Sequence, residues 1–149
     1  MRVELCQKLH EAAPSLFGTE TFFTVEELGP GIKSYRWFPI QCDDGWFDLL
    51  FGLCTKLNAY IKTLPEEIAN EIVITQIKEK YGTLRFYMSH YDPVVDKMIE
   101  EAENESASVC EVCGKKGKLR GKTWVYTACE LHTKPYDLTD ETDADNSVS

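Results

Sequence analysis

The sequence predicts an α+β fold, with helices packed on a small antiparallel sheet and a treble-clef-like metal module closing the C-terminus. Three observations predict it. Apolar residues recur at helical spacing in three segments. A β-branched run and an aromatic run flank a Tyr-Gly turn across residues 71–88. Four side chains able to bind metal stand in two pairs late in the chain. The length of 149 residues suits one domain with a small appendage, and 43% hydrophobic content is enough for a core. The spacing divides the chain into an α+β core over 1–108, a metal module over 109–134 and an acidic tail over 135–149, expected to be disordered.

Each element has its own signal. Val3, Leu5, Cys6, Leu9 and Ala13 mark a first helix that Pro14 ends. Thr21 to Val25 reads as a short strand, Gly29-Pro30-Gly31 as a turn, and Lys33 to Ile40 as an aromatic-rich extended segment. The strongest helix runs from about Trp46 to Leu64, with a stripe of Trp46, Leu49, Leu50, Leu53, Leu57, Tyr60, Ile61 and Leu64 stopped by Pro65. Asp43, Asp44 and Asp48 are read as caps and dipole partners of that helix. Ile72 to Ile77 and Leu84 to Met88 form a hairpin through Lys80-Tyr81-Gly82-Thr83. Asp92-Pro93 opens a helix that fades by Ser106, with Asp92 as cap and Pro93 at the first position.

The metal ligands are Cys110-x2-Cys113 and Cys129-x2-His132, fifteen residues apart. Two ligands separated by two residues reach one ion from a tight turn, and three thiolates with one imidazole are a tetrahedral zinc set. Gly114 lets the chain turn sharply after Cys113. Residues 118–120 and 122–127 flank Gly121 as a short hairpin, which places Cys129 and His132 on the first turn of a final helix. Four protein ligands leave no position for a reacting water, so one structural Zn²⁺ is expected. Cys42 and Cys54 read as small core residues rather than nucleophiles.

A net charge of −9 and a pI near 4.8 argue against a surface that grips duplex DNA or an anionic membrane over its whole area. No apolar run is long enough to cross a bilayer and the first residues lack a signal peptide's apolar core, so a soluble cytoplasmic protein is expected. Basic residues are unevenly placed. Lys115, Lys116, Lys118 and Arg120 make the metal module net positive, while Lys78, Lys80, Arg85, Tyr81 and Tyr87 mix cations and aromatics in the hairpin. Both sets are candidate nucleic-acid or nucleotide contacts. Gly121-Lys122-Thr123 is not a phosphate loop, because Lys116 stands where the motif needs glycine. Three histidines are too few for a metal-dependent nuclease of the treble-clef type, as His132 is assigned to zinc.

Gly45-Trp46-Phe47-Asp48-Leu49-Leu50, Thr75 to Tyr87, Cys110-Glu111-Val112-Cys113-Gly114 and Thr127-x-Cys129-x-x-His132, with Trp124, together resemble a family of small uncharacterised bacteriophage and prophage proteins. The resemblance spans about Trp37 to His132; Thr83 replaces a common second glycine, and the acidic tail is outside the pattern. It implies a phage or prophage setting, hence a host bacterial cytoplasm, and carries no known activity.

The function expected is a non-enzymatic, zinc-containing binding protein that modulates a host protein or defence system, with a host or phage protein as partner. The alternative is a nucleic-acid or signalling-nucleotide binder that uses the basic module and the hairpin. A nuclease or hydrolase is the least favoured reading, because no catalytic group of residues accompanies the cluster.

Overall fold

The computed structural model describes residues 1–18, 23–37 and 40–138. Helix α1 (Val3–Ala12) buries Cys6 and Leu9 and stops where Ala13 turns into Pro14, as a proline ring demands. A 3₁₀ turn at Pro14–Phe17 then tucks Leu16 and Phe17 into the core. Strands β1 (Phe23–Gly29) and β2 (Ile32–Trp37) pair antiparallel, with Gly31 at φ 76° in the turn. Four residues of the predicted strands, at 21, 22, 38 and 39, lie outside the described residues.

The second sheet is the core sheet. It has the order β3-β4-β5, with β3 (Ile40–Gln41), β4 (Ile74–Lys80) and β5 (Thr83–Met88). Strands β4 and β5 form the predicted hairpin, with Lys80 opposite Thr83 and a two-residue loop. Tyr81 (φ 53°) and Gly82 (φ 82°) both take the left-handed conformation required by a turn that follows strand twist. The sheet is mixed, which corrects the expected antiparallel one: β3 runs parallel to β4, with Ile40 opposite Ile77. Two residues carry no alternation for a sequence to display, and the helical crossover from β3 to β4 makes the parallel pairing possible.

That crossover contains α2 (Phe47–Ile61) and one turn, α3 (Glu66–Ala69). Helix α2 buries Leu50, Leu53, Cys54, Leu57 and Ile61 along one stripe, and Trp46 just before it is fully buried. The aspartates before it act differently from expectation. Neither caps α2 with its side chain; Asp44 instead accepts from the Arg2 N–H at 2.8 Å and pairs with its guanidinium at 2.6 Å. Helix α4 (Pro93–Ser106) begins as predicted, the Asp92 carboxylate accepting from Val94 N at 2.9 Å and Val95 N at 3.1 Å. Tyr60 donates to the same carboxylate at 3.0 Å, tying the end of α2 to the start of α4.

Helix α4 packs on β5 and on α2, and Ile77, Leu84 and Phe86 on the inner face of the core sheet are buried in the same core as the α2 stripe. Helix α4 also closes the sheet edge. The buried Ser106 hydroxyl accepts from Leu84 N at 2.9 Å, and Glu103 accepts from Phe86 N at 3.0 Å. An open edge strand would leave these N–H groups for another chain. Ser106→Ala strands the Leu84 donor in the interior, so it should lower unfolding free energy by about 1–3 kcal/mol in urea titrations, with a surface serine substitution as control.

Candidate metal centre

Backbone hydrogen bonds shape the residues after α4. Cys110 N donates to Lys115 O at 2.7 Å and Gly114 N donates to Cys110 O at 2.8 Å, folding the first ligand pair into a knuckle. Gly114 stands at φ 78°, where a side chain would be strained. Strands β6 (Lys118–Arg120) and β7 (Tyr126–Ala128) then pair antiparallel and deliver Cys129 beside the knuckle. The second ligand pair rides on a 3₁₀ turn, Glu130–His132, rather than on the first turn of a longer helix. The chain is helical over 135–138, where Tyr126 donates to Asp137 and accepts from Lys134 N at 2.9 Å, so ordered packing reaches past the expected start of the tail. Residues 139–149 lie outside the described residues.

These turns bring Cys110, Cys113, Cys129 and His132 together, with their ligand atoms all within 4.8 Å of one another. Cys113 Sγ is 3.7 Å from Cys129 Sγ, and His132 Nδ1 is 3.6 Å from Cys110 Sγ and 3.2 Å from Cys129 Sγ. The four predicted ligands therefore form one group able to hold a metal ion. Cys110 and Cys129 are buried, and Cys113 is exposed. Burial pushes the Cys110 thiol up, but N–H groups of Cys129, Cys113 and Val112 and the Cys113 thiol outweigh it and bring it down to about 6. A thiolate is the metal-binding form. By contrast, burial pushes the Cys42 and Cys54 thiols up to about 12, which fits inert core residues.

The centre is locked to the core by a seam the sequence does not announce. Gly45 N donates to Glu111 O at 2.6 Å, Asp43 N to Glu111 Oε1 at 3.1 Å, and Trp46 Nε1 to Val109 O at 2.8 Å. On the other side, Thr127 Oγ1 donates to Gly82 O at 2.6 Å and Glu111 N to Thr127 O at 3.1 Å. Gly45 sits so close that a Cβ there would lie 2.2 Å from Cys110 O and 2.4 Å from Glu111 O. A Cβ on Gly82 would lie 2.7 Å from Leu119 Cδ2. The Gly45-Trp46 pair, the Tyr81-Gly82 turn and the Cys110–Gly114 knuckle thus converge at one junction. Burial, aided by the Asp43 and Glu79 charges and opposed by the Asp43 N–H, pushes the Glu111 carboxyl up to about 7.

The remaining predicted site residues are dispersed. Arg120 is buried and its Nε donates to Ala128 O at 2.9 Å, so it belongs to the module interior. Lys115, Lys116 and Lys118 are exposed around the module. Lys78, Lys80, Arg85 and Tyr87 share the outer face of the core sheet, away from the Cys/His group. Sequence reasoning missed Glu111 and Thr127 as junction residues; their only signal is a place inside the two ligand motifs.

No helix among the described residues is long and apolar enough to cross a membrane. No family model matches the chain, and no curated protein or solved structure is significantly similar to it.

Gly45→Ala should disturb the metal centre although it lies far from the ligands in sequence. Its Cβ meets backbone atoms of the knuckle, and supporting contacts of this kind are worth about 10-fold or more in metal affinity. Competition with a chromophoric chelator reads this directly. Gly52→Ala, whose Cβ meets nothing within 4 Å, should leave the affinity unchanged.

Proposed function

We propose that the protein is a non-enzymatic binding protein, clamped by one structural Zn²⁺, that recognises a basic protein partner. The closed ligand set carries this reading. In a tetrahedral zinc site with Zn–S near 2.3 Å and Zn–N near 2.0 Å, neighbouring sulfurs stand about 3.8 Å apart and sulfur and nitrogen about 3.5 Å. The ligand atoms all lie within 4.8 Å of one another, and separations of 3.7 Å for one sulfur pair and 3.6 and 3.2 Å for two sulfur–nitrogen pairs fall near those values. Cys110, Cys113, Cys129 and His132 would hold the ion, which supplies cross-linking rather than a reactive water. Knuckle, β6–β7 hairpin and ligand-bearing turn follow the order of a treble clef, with a 3₁₀ turn in place of the helix start.

A groove beside the junction supports the protein-partner reading. It encloses about 390 Å³ between α2, α4 and the knuckle. Leu49, Leu53, Met98 and Ala102 contribute apolar surface, while Asp48, Glu101 and Glu105 bring three carboxylates against the single cation of Lys56. A segment with Lys or Arg around apolar anchors complements that lining. The resemblance to phage and prophage proteins points to a host or phage protein in the bacterial cytoplasm, as in the modulation of a host enzyme or defence system.

Affinity capture from bacterial lysate, followed by binding of the purified prey, tests the reading. One basic protein should be held by the zinc-loaded chain and lost both on Glu101→Lys/Glu105→Lys and on chelation. A prey that ignores the charge reversal, or none at all, would contradict it.

A further inference from the structure

The core sheet has a second face that the metal centre and the groove leave unused. Successive side chains of a strand point to opposite faces. With Ile77, Leu84 and Phe86 buried inward, Lys78, Arg85 and Tyr87 point outward, and Lys80 and Thr83 continue the same rows. Gln76 stands opposite Tyr87, and its amide reaches the side chain of Gln41 on β3 at 3.4 Å. The outer face is therefore a surface of cations, amides and one aromatic ring, with Tyr87 42% exposed.

Lys78 and Arg85 are direct cross-strand partners. Like charges placed so are destabilising, and a sheet normally sets a carboxylate between or opposite them. Here it does not. Among the described residues the ion pairs are Arg2 with Asp44 and His90 with Glu71, and neither touches this face. Arg85 Nη1 instead donates to Thr83 Oγ1 at 2.8 Å and to Leu84 O at 3.1 Å, bonds that hold the guanidinium over the strand without neutralising it. Lys80 Nζ stands 5.5 Å from the Tyr81 ring centroid. The strand's own acid, Glu79, falls in the row of buried Leu84 and accepts from Gly82 N at 2.7 Å, and α4 carries Asp96, Glu100, Glu101, Glu103 and Glu105 on the opposite layer. The net charge of −9 thus conceals a basic sheet face.

We propose that this face binds single-stranded nucleic acid, Lys78, Arg85 and Lys80 pairing with phosphates and Tyr87 stacking on a base. An anion would relieve the repulsion of the cation pair, and a strand surface with an exposed ring offers a base a place to stack. The amides of Gln76 and Gln41 supply donors and acceptors beside the ring. A duplex cannot use the ring, because its bases are already stacked. This site goes beyond the protein-partner reading and stands or falls independently of it, since it lies on another face.

Fluorescence anisotropy with labelled dT20 and rU20 tests it on the full, zinc-loaded chain. Both strands should bind at 50 mM salt, and affinity should fall by about 20-fold at 200 mM, as three single-strand phosphate contacts require. Lys78→Glu should lower affinity and reduce the slope of log affinity against log salt by about one. The same change sets opposite charges across the strands, so its melting temperature should stay equal or rise, which separates lost binding from lost folding. Tyr87→Ala should cost about fivefold or more. Binding that is absent at 50 mM salt, indifferent to Lys78→Glu, or tighter for a duplex or for polyglutamate of equal length overturns the proposal.

Discussion

The contact on which the rest of the molecule depends is the approach of the Gly45 backbone to the Cys110–Gly114 knuckle. No side chain fits between them, and the bond from Gly45 N to Glu111 O at 2.6 Å fixes their separation. From that point, order spreads in both directions. Trp46 is fully buried with its indole N–H on Val109 O, which sets where α2 begins. Glu111 N on Thr127 O positions β7, and β7 places Cys129. A segment of this size cannot build a self-sufficient core, so it depends on docking, to which the proposed Zn²⁺ would add a cross-link. This is why the hairpin turn at Tyr81-Gly82, remote from the ligands in sequence, is also a wall of the junction.

Charge is distributed with the same economy of parts. Helix α4 concentrates carboxylates on one layer, and the hairpin gathers Lys78, Lys80 and Arg85 on the outer face of the other. The two proposed partners, of opposite charge, would therefore meet different faces. A composition average cannot reveal this, because it adds both faces into one number.

Much of the fold was readable from residues alone, where the signal is local. The α2 stripe, the Asp92-Pro93 start, the Tyr-Gly turn and the paired ligands each depend on neighbours within a few positions, and each stands where the pattern put it. Long-range relations were hidden. Strand β3 has two residues, too few for a strand pattern to show; Ser106 and Glu103 serve a strand edge 22 and 17 residues away, and nothing in a helical polar residue says so. Asp44 has the chemistry of a cap and is used as an anchor for Arg2, since both uses need only an exposed carboxylate. The Cys/His group was legible because metal chemistry restricts residue types; the seam was not, because glycine–backbone contacts leave no side chain to read.

X-ray absorption at the zinc edge addresses the central claim most directly. Protein purified without chelator should contain one zinc per chain, with a first shell of three sulfurs at about 2.3 Å and one nitrogen at about 2.0 Å. A shell containing an exchangeable oxygen, or thiols found joined as a disulfide with no metal, would contradict a closed structural clamp.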